Sequence, residues 1–222
     1  MELSIDTASD LASVALSREG RLEAAITWQC RRAQSVELLP TIDRLLRQAG
    51  AAKQDLTAAF VCLGPGGYTG LRAGVATAQG LAFALGLATA GVSRLELDAA
   101  VLYASDRPIV PLHSAGRGEM AWAVYESTDE GLRELRSPAL SLPEALVEQA
   151  PPDALFCGEV TPEVAELIAL QLPSAKIAPP HEKGRAVDLA RIGFQRLAAG
   201  KGVEPALLRP LYLREPVIGP PR

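Results

Sequence analysis

The sequence predicts an α/β protein with a mixed sheet, organised in two units. Residues 2–28 contain three short apolar stretches separated by polar turns, which is typical of antiparallel strands. After residue 35, apolar runs of strand length alternate with longer stretches in which apolar residues recur at helical spacing. Charge and proline interrupt this alternation at residues 105–111, and we interpret that segment as the boundary between the two units.

Composition limits the classes of function. The chain has 222 residues, 48% of them hydrophobic, which is enough for a sizeable aliphatic core. A formal net charge of −4 and only 5% aromatic residues disfavour unaided binding of nucleic acid. Three widely spaced cysteines without a CxxC motif predict a reducing compartment, the cytoplasm. Neither a basic leader nor an apolar run of about 18 residues is present, so we expect neither export nor contact with a membrane.

The turn signals between the N-terminal strands support the prediction of those strands. A polar break covers residues 7–10, and Arg18-Glu19-Gly20 forms the second turn signal. The predicted antiparallel strands are residues 2–6, 11–17 and 22–28.

A first helix is predicted after these strands. Ser35 is a suitable N-cap, and Leu38, Ile42 and Leu45 form one apolar stripe at helical spacing. Pro40 is tolerated only within the first turn, where backbone amides lack intrahelical partners. We therefore expect the helix to begin immediately after Ser35.

A glycine-rich loop then joins a buried strand to a second helix. The strand is predicted at residues 56–63, and the loop reads GPGGYTG over residues 64–70. The helix is predicted from Thr69 to about residue 85, with small residues such as Gly74 at a spacing of four. Each interior glycine costs up to about 1 kcal/mol relative to alanine, so this composition indicates close packing against another backbone.

The remaining elements continue the alternation. We expect residues 1–105 to form one lobe, residues 106–215 a smaller α/β lobe and residues 216–222 a proline-rich tail. No internal repeat is apparent. The further predicted strands are residues 88–92, 109–113, 120–126 and 155–157, and the further helices are residues 95–105, 143–149, 162–171 and 187–199.

A nucleotide or anion site is one interpretation of the first strand end and the glycine-rich loop. A carboxylate and a hydroxyl would lie at a strand tip, beside backbone amides at a helix N-terminus. The loop nevertheless matches neither the Walker A pattern nor GxGxxG. The alternative is structural, with Asp6 forming a turn, Thr69 capping the helix and the glycines permitting a tight crossing. The candidate cofactor-binding residues are Asp6, Thr7, Gly64, Gly66, Gly67 and Thr69.

Catalytic signatures of other kinds are missing from the sequence. His113 and His181 are far apart and fall in no zinc-ligand spacing. The G-x-S-x-G nucleophile elbow and the S-x-x-K pair do not occur. We therefore assign no catalytic residue and no metal site.

The first two helices together suggest a surface for a partner protein. The stripe on the first helix is wider than a surface helix needs, and the second helix is lined with small residues. The alternative is that both faces pack on the chain's own sheet. The candidate partner-binding residues are Ser35, Leu38, Ile42, Leu45, Leu71, Gly74, Val75 and Ala78.

Four segments together resemble the TsaB (YeaZ) family, subunits of the bacterial tRNA threonylcarbamoyladenosine machinery. They read IDTA at residues 5–8, SVELLP at 35–40, GPGGYTGLR at 64–72 and GVATAQGLA at 74–82. The resemblance is close up to about residue 95. Weaker similarities follow at Gly118-Glu119-Met120 and at PLYLR, residues 210–214.

The resemblance implies a degenerate actin-like, Hsp70-like ATPase fold, with an RNase H-like first lobe and a reduced second lobe. It implies a subunit, not an enzyme on its own, that pairs through the two first-lobe helices with the catalytic sister TsaD. With TsaD and the ATPase TsaE, it would support threonylcarbamoyl transfer onto the adenosine beside the anticodon of tRNA. No cofactor would be bound by this chain alone, ATP would belong to the assembled complex, and tRNA would be reached only through it. Alone, the chain is compatible with a homodimer through the same helices.

The sequence departs from the family's pattern at two places. Gln34 stands where a histidine usually precedes the first helix, and residues 114–117 read Ser-Ala-Gly-Arg in place of an Asp-Ala-Arg stretch. The metal-binding histidine pair of TsaD is absent, which argues against this chain being the transferase. The enzymatic alternative is an actin-like magnesium-nucleotide-dependent phosphotransferase or ATPase that uses Asp6, Thr7 and the glycine-rich loop. A peptidase is a third hypothesis, and the absence of any zinc-ligand spacing in the sequence disfavours it.

Overall fold

The computed structural model describes residues 1–30, 34–129, 131–180 and 184–214. All ten strands in this part of the chain belong to two five-stranded mixed sheets, each accompanied by helices. The predicted tail at residues 216–222 and His181 lie outside the described residues.

The first sheet has the order β3-β2-β1-β4-β5. Strands β1, β2 and β3 are an antiparallel meander, and β4 and β5 run parallel to β1. Every residue of β1 and β4 is buried, because helices cover both faces of the sheet. The strands are β1 Glu2–Asp6, β2 Leu11–Arg18, β3 Arg21–Gln29, β4 Ala58–Cys62 and β5 Ala88–Val92.

Two long helices cover one face of this sheet, and a helix from the second half of the chain covers the other. Helices α1 (Gln34–Gln48) and α2 (Tyr68–Leu85) pack side by side and bury their apolar stripes against β1, β2 and β4. Helix α6 (Ala186–Ala198) crosses the opposite face, where Leu189 and Ile192 contact the cluster around Phe60. The first sheet is therefore completed by residues from the far end of the sequence.

The second sheet has the order β10-β9-β6-β7-β8 and is built around a core that includes Trp122 and Phe156. Helix α3 (Arg94–Ala100) follows β5 in the chain but packs on this second sheet, through Leu95 and Ala99. Its strands are β6 Ile109–Ser114, β7 Met120–Thr128, β8 Gly131–Ser141, β9 Leu155–Gly158 and β10 Lys176–Ile177, with helices α4 Pro143–Gln149 and α5 Pro162–Gln171. Within the described parts of the chain, no helix combines the length and the apolarity needed to cross a bilayer.

The two sheets repeat one topology, although no repeat is apparent in the sequence. In each, three antiparallel strands are followed by a helix, a parallel strand, a helix, a parallel strand and a helix. The first two helices of the second copy are shorter than their counterparts in the first. Helices α4 and α5 have 7 and 10 residues, whereas α1 and α2 have 15 and 18. Hydrophobic patterning largely decides the fold class, so two segments without apparent sequence similarity can share one topology.

Several local predictions are wrong. Helix α1 begins at Gln34, so Ser35 lies inside the helix, and Pro40 falls in its second turn. Pro40 and Val36 are both exposed, so solvent can reach the carbonyl that Pro40 leaves without an amide partner. Gly67, not Thr69, occupies the N-cap position of α2. The strands β8 and β10 were not predicted. In β8, register shifts and Pro138 interrupt the alternation of apolar and polar residues. Strand β10 has only two residues, which is too short to show an alternation.

The glycines of α2 predict opposite effects of the same substitution. A Cβ at Gly74 would lie 2.3 Å from Thr7 Oγ1, so Gly74→Ala should lower the free energy of unfolding by about 1–3 kcal/mol. A Cβ at Gly80 would meet no atom within 4 Å, so Gly80→Ala should raise it by up to about 1 kcal/mol through helix propensity. Urea unfolding monitored by circular dichroism measures both. Equal stabilities of the two variants would contradict the packing described for α2.

Candidate functional site

The carboxyl end of β1 holds Asp6 and Thr7, as predicted, but both side chains are committed to internal contacts. Asp6 is fully buried, and its Oδ1 accepts a hydrogen bond from the Ala8 backbone N–H at 2.9 Å. Thr7 Oγ1 donates to the Gly70 carbonyl oxygen at 2.7 Å. The strand end is therefore tied to the first turn of α2.

The glycine-rich loop crosses directly over this strand end. A Cβ at Gly66 would lie 2.1 Å from the Ala8 carbonyl oxygen, and one at Gly70 would lie 2.3 Å from that of Thr7. The Gly67 N–H donates to the Ala8 carbonyl oxygen at 3.1 Å, and the Gly64 carbonyl accepts from the Arg94 N–H at 2.7 Å. These contacts favour the structural interpretation of the loop, because its glycines permit the crossing and the amide of Gly67 already has an acceptor. Thr69, the remaining candidate, is exposed at the start of α2.

Six titratable side chains meet where the two sheets face each other, and we call them the charge cluster. Arg94, at the start of α3, is at its centre with 1% of its surface exposed. Its Nη2 donates to Glu159 Oε1 at 2.5 Å, and its Nη1 lies 2.8 Å from His113 Nδ1. Glu159 Oε2 lies 2.8 Å from the same His113 nitrogen and accepts from the Ser114 N–H at 3.1 Å. The charge cluster is Asp6, Arg94, Asp98, His113, Glu159 and Arg185.

Arg185 joins the two buried aspartates of the charge cluster. It lies immediately before α6, and its Nε donates to Asp98 Oδ1 at 2.5 Å. Its Nη1 lies 3.6 Å from Asp6 Oδ2 and donates to Ser9 Oγ at 3.3 Å. One side chain therefore links α3, β1 and the start of α6.

Two members of the charge cluster, Glu159 and Arg185, have pKa values shifted toward their charged forms. Burial alone would raise the pKa of Glu159, but the hydrogen bond from His113 and the charge of Arg94 hold it well below its ordinary value. Burial alone would lower the pKa of Arg185, but Asp98 and Asp6 outweigh that effect and raise it. Glu159 and Arg185 are therefore both charged at neutral pH.

The chemistry available near the charge cluster is limited. A cavity of about 420 Å³ opens between the glycine-rich loop and the second sheet, with Arg94, His113 and Glu159 among its lining. No group of three or more His, Cys, Asp or Glu in the described residues is arranged to hold a metal ion. Burial raises the pKa values of the Cys62 and Cys157 thiols, so neither forms a thiolate nucleophile at neutral pH.

Sequence reasoning missed most of the charge cluster. Only Arg94 and Asp98 are close together in sequence, and no short motif joins the others. These two residues are four apart in a short helix that also carries Glu96. The spacing indicates an ion pair along the helix, but it does not show that the pair is internal.

The predicted partner-binding residues are divided between core and surface. Ser35 is exposed at the start of α1. The other seven are buried in the interior, so they are not on the surface of this chain: Leu38, Ile42, Leu45, Leu71, Gly74, Val75 and Ala78. The exposed faces of the same helices carry other apolar residues, with Val36, Leu39 and Phe83 exposed by 73%, 56% and 66%.

Comparison with known proteins identifies the family. A family model described as "TsaD: tRNA N6-adenosine threonylcarbamoyltransferase" matches residues 28–200. The tRNA threonylcarbamoyladenosine biosynthesis protein TsaB of Escherichia coli (strain K12) is 30% identical over 224 residues, which covers 97% of this chain and 95% of that protein. The chain belongs to the TsaB (YeaZ) family. TsaB of Bacillus subtilis (strain 168) is 36% identical over 124 residues, 56% of this chain and 54% of that protein.

Solved structures agree with this membership. YeaZ from Pseudomonas aeruginosa has a TM-score of 0.78 at 29% identity, covering 95% of this chain and 99% of that chain. Component A of (R)-2-hydroxyglutaryl-CoA dehydratase from Acidaminococcus fermentans has a TM-score of 0.51 at 10% identity, covering 89% and 98%, and shares the fold alone. The degenerate actin-like α/β fold predicted from the resemblance is confirmed. As a TsaB family member, the chain is involved in tRNA threonylcarbamoyladenosine biosynthesis.

The charge cluster predicts how stability depends on pH. The folded-state pKa of Glu159 is lowered, so its contribution is present above the unfolded value of about 4.5 and is lost as pH falls below it. At neutral pH, Glu159→Gln should lower the free energy of unfolding by about 1 kcal/mol, a modest figure because this carboxylate is 41% exposed.

Urea titrations of wild type and variant between neutral pH and about pH 3 provide the measurement. The difference between the two proteins should shrink as the solution becomes more acidic. Glu166→Gln, at an exposed position of α5, is the matched control and should follow the wild type. A Glu159→Gln difference that stays constant down to the lowest pH would exclude the assigned ion pairs.

Proposed function

We propose that this chain is a non-catalytic subunit that binds TsaD through the exposed apolar faces of α1 and α2. The observation that carries the proposal is the exposure of Val36, Leu39 and Phe83 on two helices that pack side by side. Isolated exposed apolar residues are common on monomers, but a group of them on adjoining helices is typical of an interaction surface. We call this surface the helix face.

The exposed side of α2 adds a second argument for a docked helix. Arg72, Ala76, Gly80 and Phe83 follow one another along its exposed or half-buried side. Gly80 lowers helix propensity by about 1 kcal/mol, and in the described part of the chain no atom lies within 4 Å of the position that its Cβ would take. A partner backbone that packs closely at this position would account for a glycine there.

Similarity to TsaD supports pairing through matching elements. The TsaD family model covers residues 28–200, a range that includes α1 and α2, so TsaD is expected to carry counterparts of both helices. Two chains with matching helix pairs can associate across a pseudo-twofold axis, and two copies of this chain can do so across a true one. The proposal therefore includes a homodimer that forms when TsaD is absent.

The remaining parts of the proposal rest on the family resemblance. TsaE would join the complex together with TsaD, and ATP would be used in the assembly and not by this chain alone. With a net charge of −4, the chain has no excess of basic residues with which to bind a polyanion, so tRNA would be contacted through the complex. Threonylcarbamoyl transfer onto the adenosine beside the anticodon would take place on TsaD, in the cytoplasm.

Size-exclusion chromatography with light scattering tests the proposal. The chain is run alone and mixed with TsaD from the same organism. A one-to-one complex that replaces any homodimer is the expected result. Two unchanged peaks well above micromolar concentration, with nucleotide present, would overturn the proposal.

Charged substitutions on the helix face should weaken the complex. Leu39→Asp and Phe83→Asp each place a carboxylate in the proposed contact, and the loss should be about 2 kcal/mol, roughly thirtyfold in Kd. Leu170→Asp is the matched control, because this leucine of α5 is 81% exposed and lies on a different helix. Titration calorimetry against TsaD measures all three. Equal weakening by the control would show that charge alone, and not the helix face, is responsible.

Gly80→Leu separates binding from folding. A Cβ at this position meets no atom within 4 Å in the described residues and Gly80 is exposed, so the variant should fold with at least wild-type stability. A partner helix that packs closely on Gly80 would be displaced, and overpacking of about 1–3 kcal/mol should weaken TsaD binding roughly fivefold or more. Denaturation and calorimetry on the same sample report the two effects. Unchanged affinity would place the docked helix elsewhere on the helix face.

A further inference from the structure

An actin-like fold implies a magnesium nucleotide in the cleft between its two sheets, and the residues present here do not fit that group. Asp6, at the end of β1, and Asp98, on α3, are both buried where the sheets meet. In the described residues, Asp6 Oδ2 and Asp98 Oδ2 accept no hydrogen bond, although each is completely shielded from solvent. Two such buried carboxylate oxygens require a compensating positive charge nearby.

The positive charge is supplied by Arg185. Its guanidinium group lies between the two carboxylates, with Nε 2.5 Å from Asp98 Oδ1 and Nη1 3.6 Å from Asp6 Oδ2. Arg94 flanks Asp98 from the other side, with Nε 3.6 Å from Oδ2. A magnesium or manganese ion would have to approach a carboxylate oxygen to about 2.1 Å, and it would be repelled by the guanidinium already present.

The backbone before α6 holds Arg185 in this position. A Cβ at Gly184 would lie 2.4 Å from Thr27 Oγ1 and 2.5 Å from Ser13 Cβ, so the chain is pressed against β2 and β3. The Ala186 N–H donates to Ser13 Oγ at 3.0 Å. The residues on both sides of Arg185 are therefore anchored, and the guanidinium is a fixed part of the cleft.

We propose that Arg185 is a built-in cation that occupies the space between Asp6 and Asp98 and thereby keeps divalent cations out of the cleft. Removing its charge would turn the two carboxylates into a site for a hard divalent cation, since carboxylate oxygens suit Mg²⁺ and Mn²⁺. The new site would be reached from a cavity of about 360 Å³ that Asp98 and Arg185 themselves line. This inference concerns the cleft only and does not depend on TsaD binding.

Manganese binding by the full chain tests the inference. Manganese chloride alone is the probe, and free Mn²⁺ is followed by electron paramagnetic resonance in wild type and in Arg185→Ala. Arg191→Ala removes a half-exposed arginine of the same helix region and is the matched control. Arg185→Ala should bind one Mn²⁺ roughly tenfold or more tightly than the wild type or the control, and Tm should rise with manganese in that variant alone. The double variant Arg185→Ala, Asp98→Asn should lose the added affinity.

Arg185→Gln keeps the proposal testable if the alanine variant folds poorly, because the glutamine amide can still donate to Asp98. Either variant that unfolds in metal-free buffer should recover its fold when manganese is added. Arg185→Lys retains a cation and should bind no more Mn²⁺ than the wild type does. The inference is overturned if wild type already binds Mn²⁺ as tightly as Arg185→Ala, or if neither neutral variant gains manganese affinity or manganese-dependent stability.

Discussion

The two sheets of this protein are joined around the guanidinium groups of Arg94 and Arg185, and the rest of the architecture depends on that junction. Arg94, which is buried, brings together α3, β6 and the residue directly after β9, and the largely buried Arg185 brings together β1, α3 and α6. Arginines are tolerated in such positions only when carboxylates neutralise them, and here Asp6, Asp98 and Glu159 do so. The junction of the two sheets therefore depends on charged side chains that cannot be left without partners.

Small residues set the second constraint, at the end of β1. The glycine-rich loop and α2 approach the backbone of Thr7 and Ala8 so closely that a methyl group would collide with it. The same helix leaves Gly80 open toward solvent. One helix thus uses glycine for two purposes: inward for contact with its own sheet, and outward where we propose that a partner packs.

The sequence was enough to predict most of the first unit. The three N-terminal strands, α2 and β5 agree with the structure within two residues, because alternation and turn signals are strong there. It was also enough to place Asp6 and Thr7 at a strand end beside the glycine-rich loop. It could not show that Leu38 and Val75 face the core while Leu39 and Phe83 face outward, since a wide apolar stripe does not reveal which half the sheet covers. Nor could it pair Asp6 with Arg185, because that contact is created by tertiary structure alone.

The exchange of helices between the two sheets has a consequence for how the chain reaches its native state. Helix α6 is synthesised after all the strands of the second sheet, and yet it covers Phe60 and its neighbours on the first sheet. The first sheet therefore emerges with one face bare and stays incomplete until the second sheet and α6 have been made. Such dependence on contacts distant in sequence slows folding and prolongs the exposure of apolar surface to other chains. The first sheet can thus reach its native packing only after the strands of the second sheet have been synthesised.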